Sequence, residues 1–382
     1  MREVFVCSDN IISPLGFTGS DNFARLCNHE SGIKLHNDVS KSPVPFYASL
    51  INEKDIYDAL PDKYQQYSKF ELLILLSVLD ALSLTNIDLS NPKTGLIISS
   101  TKGNVNLLEK HALTDELKQE ISLVSSAKKI TECLGLNIKP IIVSQACISG
   151  LVALITAKRL LQAGVYDNII VSGTDLITRF ILSGFQSFQA VSDEPCKPFD
   201  ADRKGINLGE AAATIVLSVN RPLGKDIVKL TGGAVSNDAN HISGPSRTGE
   251  ELHQAIEAAI AEAGIAKNNI GFISAHGTAT VYNDDMESKA IKLSGLQQVP
   301  VNSLKGYYGH TLGAAGLLES VISIHSLREN KIIPTLGFNR PGTAEHIRVC
   351  RTLQHVPLQA CLKTASGFGG CNAAVIWEKI NE

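Results

Sequence analysis

The sequence predicts an α/β protein built from two similar halves, and three observations lead there. Short β-branched runs alternate with helical patterns along the chain. A strand, a tight turn and an apolar helix occur in succession twice, once in each half. The chain has 382 residues, 44% of them hydrophobic, which is enough to bury a large core.

In chain order, strands are expected at 94–99 (TGLIIS), 140–143 (PIIV), 168–172 (NIIVS), 213–217 (ATIVL), 270–274, 299–301 and 373–377 (AAVIW). Helices are expected at 69–84, 150–163, 249–263 and 314–328; the last two contain few helix breakers and end near a Gly or a polar break. The most apolar stretch, LLILLSVLDAL at 72–82, is too short to span a bilayer and contains Asp80. It reads as a buried helix, and no membrane insertion is expected.

The repeat locates the chemistry. GLIISSTKG from Gly95 precedes PIIVSQACISGLVALITAKRL, and IGFISAHGT from Ile270 precedes VPVNSLKGYYGHTLGAAGLLESVIS. Superposing the two places Cys147 and His310 at corresponding turns, with His276 at the end of the preceding strand. The expected division is 1–220, carrying a nucleophile, and 221–382, carrying two histidines.

A net charge of −3 with 19% charged residues gives no sign of wholesale nucleic-acid binding. MREVFVCSDNIISPLG lacks the apolar core of a secretory signal, and the eight cysteines are scattered without a CxxC pair. The expectation is a cytoplasmic protein with free thiols, seven of them small buried hydrophobes.

Four segments can carry chemistry. In SQACISG (144–150) a strand delivers Cys147 to a turn among small neighbours with a helix directly behind. A helix N-terminus favours a thiolate, although a core cysteine at such a junction fits as well. In AHGTAT (275–280) His276 sits at the mouth of a strand, and Thr278 and Thr280 alternate so that both hydroxyls can face an amide-bearing ligand. Asp284 and Glu287 follow, either as support or as caps of the next helix. In NSLKGYYGHTLGAAGLLE (302–319) Lys305 and His310 flank a glycine-rich turn, with Glu319 on the helix beyond. In SGFGGCNAA (366–374) the backbone N–H groups around Phe368, Gly369 and Gly370 can face a developing oxyanion. GxGxxG before a helix, GxxxxGK[ST] and GxSxG are all missing, so nucleotide binding and α/β-hydrolase chemistry lack support.

In this order the four segments resemble the β-ketoacyl synthases of the thiolase fold, in their decarboxylating Cys-His-His branch. The resemblance covers nearly the whole chain and includes PFDADRKGINLGEAAA (198–213) and NDDMES after the HGTAT motif. It implies an αβαβα arrangement of layers and a decarboxylative Claisen condensation in fatty-acid or specialised polyketide-type, polyene-like, biosynthesis. Cys147 would take an acyl group from a carrier phosphopantetheine thioester. His276 and His310 would stabilise the enolate formed as malonyl loses carbon dioxide. Backbone N–H groups of Cys147 and Phe368 would form the oxyanion hole. Lys305, paired with Glu319, would tune the histidines, Thr278 and Thr280 would grip the pantetheine arm, and Phe368 would gate the malonyl side. The implied partner is an acyl carrier protein, with Lys63, Lys69, Lys128 and Lys129 as candidate contacts. A homodimer is expected and a heterodimer is an alternative. No cofactor of the chain's own and no metal are expected.

Departures from the family pattern fall beside the nucleophile. Ser366 stands where the family often has Phe, Cys371 where it has Thr, and Ile148 where smaller residues are common; the stretch between Lys102 and Ser126 is short. These positions leave the acyl substrate open. Two rival readings are a catalytically silent, chain-length-factor-like subunit, and a metal-dependent hydrolase with Cys147, His276 and His310 as zinc ligands. The first is disfavoured by the complete Cys-His-His-Lys set. The second is disfavoured by the absence of a short-range ligand pair.

Overall fold

The computed structural model describes residues 2–109, 111–239 and 244–380. The first half contributes strands β1 (Phe5–Ile12), β2 (Thr94–Ser99), β3 (Ile141–Val143), β4 (Asn168–Asp175) and β5 (Ala211–Ser218). The second contributes β6 (Ile227–Asn237), β7 (Ile270–Ser274), β8 (Val301–Asn302), β9 (Ala360–Gly367) and β10 (Cys371–Ile380). Together they form a ten-stranded sheet in the order β8-β7-β9-β10-β6-β1-β5-β4-β2-β3. Each strand of the second half stands where its counterpart five places earlier stands in the first. The parallel and antiparallel pairings repeat in the same way. The halves meet edge to edge at β1 and β6, through the single register pair Phe5↔Lys229.

The principal helices are α1 (Lys69–Ser83), α2 (Leu123–Cys133), α3 (Ser149–Gln162), α4 (Arg179–Ser187), α5 (Glu250–Ala263), α6 (Val281–Leu293) and α7 (Ala315–Glu329). Helices α3 and α7 each pack on strands of both halves and on one another, so the sheet folds around them. Helices α1 and α2 cover the outside of the first half, and α5 and α6 that of the second. The result is the five-layer αβαβα arrangement. Strand β5 (AAATIVLS) is buried along its whole length between α1 and α7, which explains its largely apolar run. At the α3–α7 crossing a Cβ on Gly150 would lie 2.6 Å from the Leu317 backbone nitrogen, so only glycine allows that approach.

Every helix and strand expected from the sequence is present, with ends shifted by at most three residues. The 72–82 segment is the buried interior of α1, started by a reciprocal capping box between Ser68 and Glu71. Among the described residues no helix is long and apolar enough to cross a membrane. All eight cysteines are free, but Cys7, Cys27 and Cys133 are only partly buried, fewer inside than expected.

Candidate active site

The sulfur of Cys147 and the ring nitrogens of His276 and His310 lie within 4.8 Å of one another at the closed end of a cleft of about 480 Å³. Each arrives from a strand end. Cys147 follows β3 and His310 follows β8 at equivalent turns, while His276 follows β7. The turn at Cys147 is sharp, with Ala146 held at φ 44°, a costly conformation for a residue with a side chain. Ser149 stabilises it by accepting the Gln145 N–H at 2.7 Å and donating to the Ala146 carbonyl at 2.7 Å. Neither the strain nor the serine's role is signalled by sequence pattern.

Burial works against a resting thiolate at Cys147. Burial pushes its thiol up to about 12, and neighbouring Cys371 adds to the rise while Lys305 opposes it. The Phe368 backbone N–H points at the sulfur. Strand β9 approaches so closely that a Cβ on Gly367 would lie 3.0 Å from the Cys147 nitrogen. Gly369 and Gly370 turn the chain through φ 83° and 71°. The Phe368 ring leans over the cleft against Phe185 (centroids 5.8 Å apart) and Phe188 (5.7 Å).

The imidazoles meet edge to face, 5.0 Å between centroids. Burial and then the Lys305 ammonium hold both rings well below the usual imidazole value, so both are neutral at pH 7. Nδ1 of His276 and both nitrogens of His310 have no protein partner. His310 is fixed through its main chain, which donates to the Asn207 carbonyl at 2.7 Å and accepts from the Gly209 N–H at 3.0 Å. A Cβ on Gly209 would lie 1.8 Å from the Tyr308 carbonyl oxygen, so the glycine is required there.

Asp284 and Glu287 are fully buried supports and neither caps nor is solvated. Glu287 accepts the backbone N–H groups of His276 (2.8 Å) and Gly277 (2.6 Å). Asp284 accepts the Phe199 N–H at 2.7 Å, tying the 198–213 segment to α6; burial raises its carboxyl to about 7. Behind the rings Lys305 pairs with Glu319, whose other oxygen lies 2.7 Å from Lys363, and both ammonium groups are fully buried. Nothing in the sequence pattern marked Lys363, because a lysine inside a strand reads as an exposed residue. Thr278 and Thr280 line the cleft, their hydroxyls 2.8 Å apart.

Of the proposed carrier contacts, Lys69 is withdrawn into an ion pair with Glu210 at 2.7 Å, and none of Lys63, Lys69, Lys128 and Lys129 lines the cleft. The wide spacing of Cys147, His276 and His310 does not by itself exclude a metal, since the fold brings all three together. The electrostatics oppose one: the positive fields of Lys305 and Lys363, felt at both rings, disfavour a further divalent charge.

The family description "Beta-ketoacyl synthase, N-terminal domain" matches residues 1–221, and "Beta-ketoacyl synthase, C-terminal domain" matches 228–339. The chain belongs to the β-ketoacyl synthase family. It is 29% identical over 413 residues to 3-oxoacyl-[acyl-carrier-protein] synthase 2 of Vibrio harveyi, covering 100% of this chain and 99% of that relative. Among solved structures, the ishigamide ketosynthase/chain length factor matches with a TM-score of 0.91 at 23% identity over 100% of both chains. A type II polyketide ketosynthase in complex with its acyl-carrier protein matches with a TM-score of 0.87 at 21% identity, covering 99% of this chain and 100% of that one. These structures share the thiolase-type fold. As a member of this family the protein is an acyltransferase, and Cys147, His276 and His310 lie together where its two halves converge.

Proposed function

We infer that this synthase condenses an acyl thioester held on Cys147 with a malonyl thioester, releasing carbon dioxide and giving a β-ketoacyl product. The observation carrying this reading is a buried thiol beside two neutral imidazoles whose nitrogens have no protein partner. A neutral imidazole N–H can donate to a thioester oxygen as charge develops there during decarboxylation, and no strong base is needed. A ring nitrogen that lacks its proton can accept the thiol proton as Cys147 attacks the acyl carbonyl. The N–H groups of Cys147 and Phe368 then hold the tetrahedral oxyanion, each worth ~3 kcal/mol in comparable acyl-transfer sites.

Phosphopantetheine would arrive on an acyl carrier protein, with Thr278 and Thr280 gripping its amides and exposed Val281 and Tyr282 flanking the entrance. Phe368, packed on Phe185 and Phe188, would gate the malonyl side. Ser366, engaged with Asn372 at 2.8 Å, leaves space along the cleft wall where an aromatic ring would intrude. Ile148 points into the core, away from that wall. The protein would act as a dimer. Exposed Leu113, Val124 and Phe180 supply apolar surface, and the similar solved structures include a ketosynthase with a chain length factor. The site is complete within this chain, which disfavours a silent-subunit role. Replacing Cys147 by Gln tests the assignment: condensation should disappear while malonyl-carrier decarboxylation continues. Loss of carbon dioxide release in a folded variant would contradict the histidine roles.

A further inference from the structure

Lys363 lies in the middle of β9 with its ammonium out of reach of solvent. Its Nζ donates to three backbone carbonyls, those of Ser274 at 3.0 Å, Ala275 at 3.2 Å and Thr364 at 2.7 Å, and meets a Glu319 carboxylate oxygen at 2.7 Å. Four oxygens around one nitrogen, with no donor facing it, require an ammonium: a neutral amine would turn its lone pair on an oxygen.

The placement is specific. The peptide joining Ala275 to His276 is held at both poles, its carbonyl by Lys363 and its N–H by Glu287. That peptide directly precedes the His276 side chain. Glu319 in turn divides its two oxygens between Lys305 and Lys363. Without the Lys363 charge, Glu319 would face Lys305 alone, and the two carbonyls at the end of β7 would lose their partner in a dry interior.

We propose that Lys363 is a positioning residue whose ammonium acts as a built-in monovalent cation, fixing the strand end that carries His276 and balancing Glu319 against Lys305. Carbonyl and carboxylate oxygens are the ligands that hard monovalent cations take. The oxygen cage should therefore accept ammonium or potassium once the side chain is removed. The catalytic part of this inference rests on the condensing-enzyme reading; the cage itself does not.

The test compares wild type, Lys363→Ser and Lys363→Met in potassium, ammonium and tetramethylammonium chloride at equal ionic strength. Melting temperature, malonyl-carrier decarboxylation and Cys147 acylation are measured in each. In tetramethylammonium, Lys363→Ser should lose decarboxylation by at least about tenfold, the scale of a misplaced catalytic group, with acylation far less affected. Ammonium or potassium should restore most of it and raise the melting temperature of this variant but not of wild type. Lys363→Met, which fills the cage with an uncharged chain, should stay impaired in every salt. The proposal is overturned if folded Lys363→Ser decarboxylates normally in tetramethylammonium, or if its activity and melting temperature ignore the choice of cation. Should Lys363→Ser not fold in any salt, Lys363→Met decides, and normal decarboxylation by that variant overturns the proposal. The cation dependence of the melting temperature reads the cage even if the wild type does not decarboxylate malonyl thioesters, so the two failures are distinct.

Discussion

The two halves anchor equivalent loops with a buried carboxylate each, and the second half adds a cation. Each must anchor the loop leaving its second strand, β2 or β7, against the neighbouring strand, β4 or β9. In the first half Asp175, the last residue of β4, accepts the backbone N–H groups of Thr101 (3.0 Å) and Lys102 (3.0 Å), and that of Gly313 (2.8 Å) across the interface. In the second half Lys363 donates to carbonyls at the equivalent strand end. Asp175 and Glu287 thus play the same part in the two halves, and the half that carries the imidazoles adds Lys363 for the carbonyls. The cation helps keep both rings neutral and therefore able to donate, while burial, then Cys371 and to a smaller extent Asp175, push the Cys147 thiol up. A shared topology supplies the positions, and Lys363 is a charge that the second half adds behind its imidazoles.

Changes at the imidazoles should separate the partial reactions, and a change at the anchoring carboxylate should slow them together. The largest effect is expected for His310→Ala, which removes a donor to the enolate. Malonyl decarboxylation should fall by about 10²–10³-fold, the scale for losing one oxyanion donor. Acylation of Cys147 should remain detectable by mass spectrometry, and loss of acylation with decarboxylation intact would reverse the division of labour. Next in size, Asp175→Asn turns an amide NH₂ toward N–H groups that now share an anion. It should lower stability by about 1–3 kcal/mol in urea unfolding and slow both partial reactions alike, because Asp175 also holds Gly313. A selective effect on decarboxylation would show that the anion serves only one half.

The smallest effect is a pH dependence at Asp284. Its folded carboxyl is raised to about 7 by burial. Its contribution to stability is therefore complete below the ordinary carboxyl range near 4, and is lost as pH rises through about 7. Asp284→Asn, which still accepts the Phe199 N–H, should gain melting temperature relative to wild type between pH 5 and pH 8. A difference independent of pH would mean that Asp284 stays ionised throughout.

What the sequence conceals follows the same charges. Strands dominated by aliphatic residues, such as β2 and β5, are legible because no charged residue interrupts them. Strands β1 (FVCSDNII) and β9 (ACLKTASG) were not anticipated, since Ser8, Asp9 and Asn10 in one and Lys363 and Thr364 in the other break the apolar run. Those polar residues are buried because distant partners satisfy them. Asp9 meets His325 and Arg328 at 2.7 Å each, and no local pattern encodes that. Cys147, His276, His310 and Lys305 were legible through the order of their motifs. Lys363 and the Ser149-supported turn at Ala146 were not, because their roles exist only after strands far apart in sequence are joined. Lys69 failed in the other direction: a lysine at a helix start reads as surface, yet it lies against Glu210.

The central claim is tested most directly by the mass of the Cys147 peptide before and after each substrate is added. Incubation with an acyl carrier should add one acyl group to Cys147 and to no other cysteine. Later addition of malonyl carrier should discharge it, with equal amounts of carbon dioxide and β-ketoacyl carrier. An acyl group on another cysteine, or condensation by Cys147→Ala, would contradict the account.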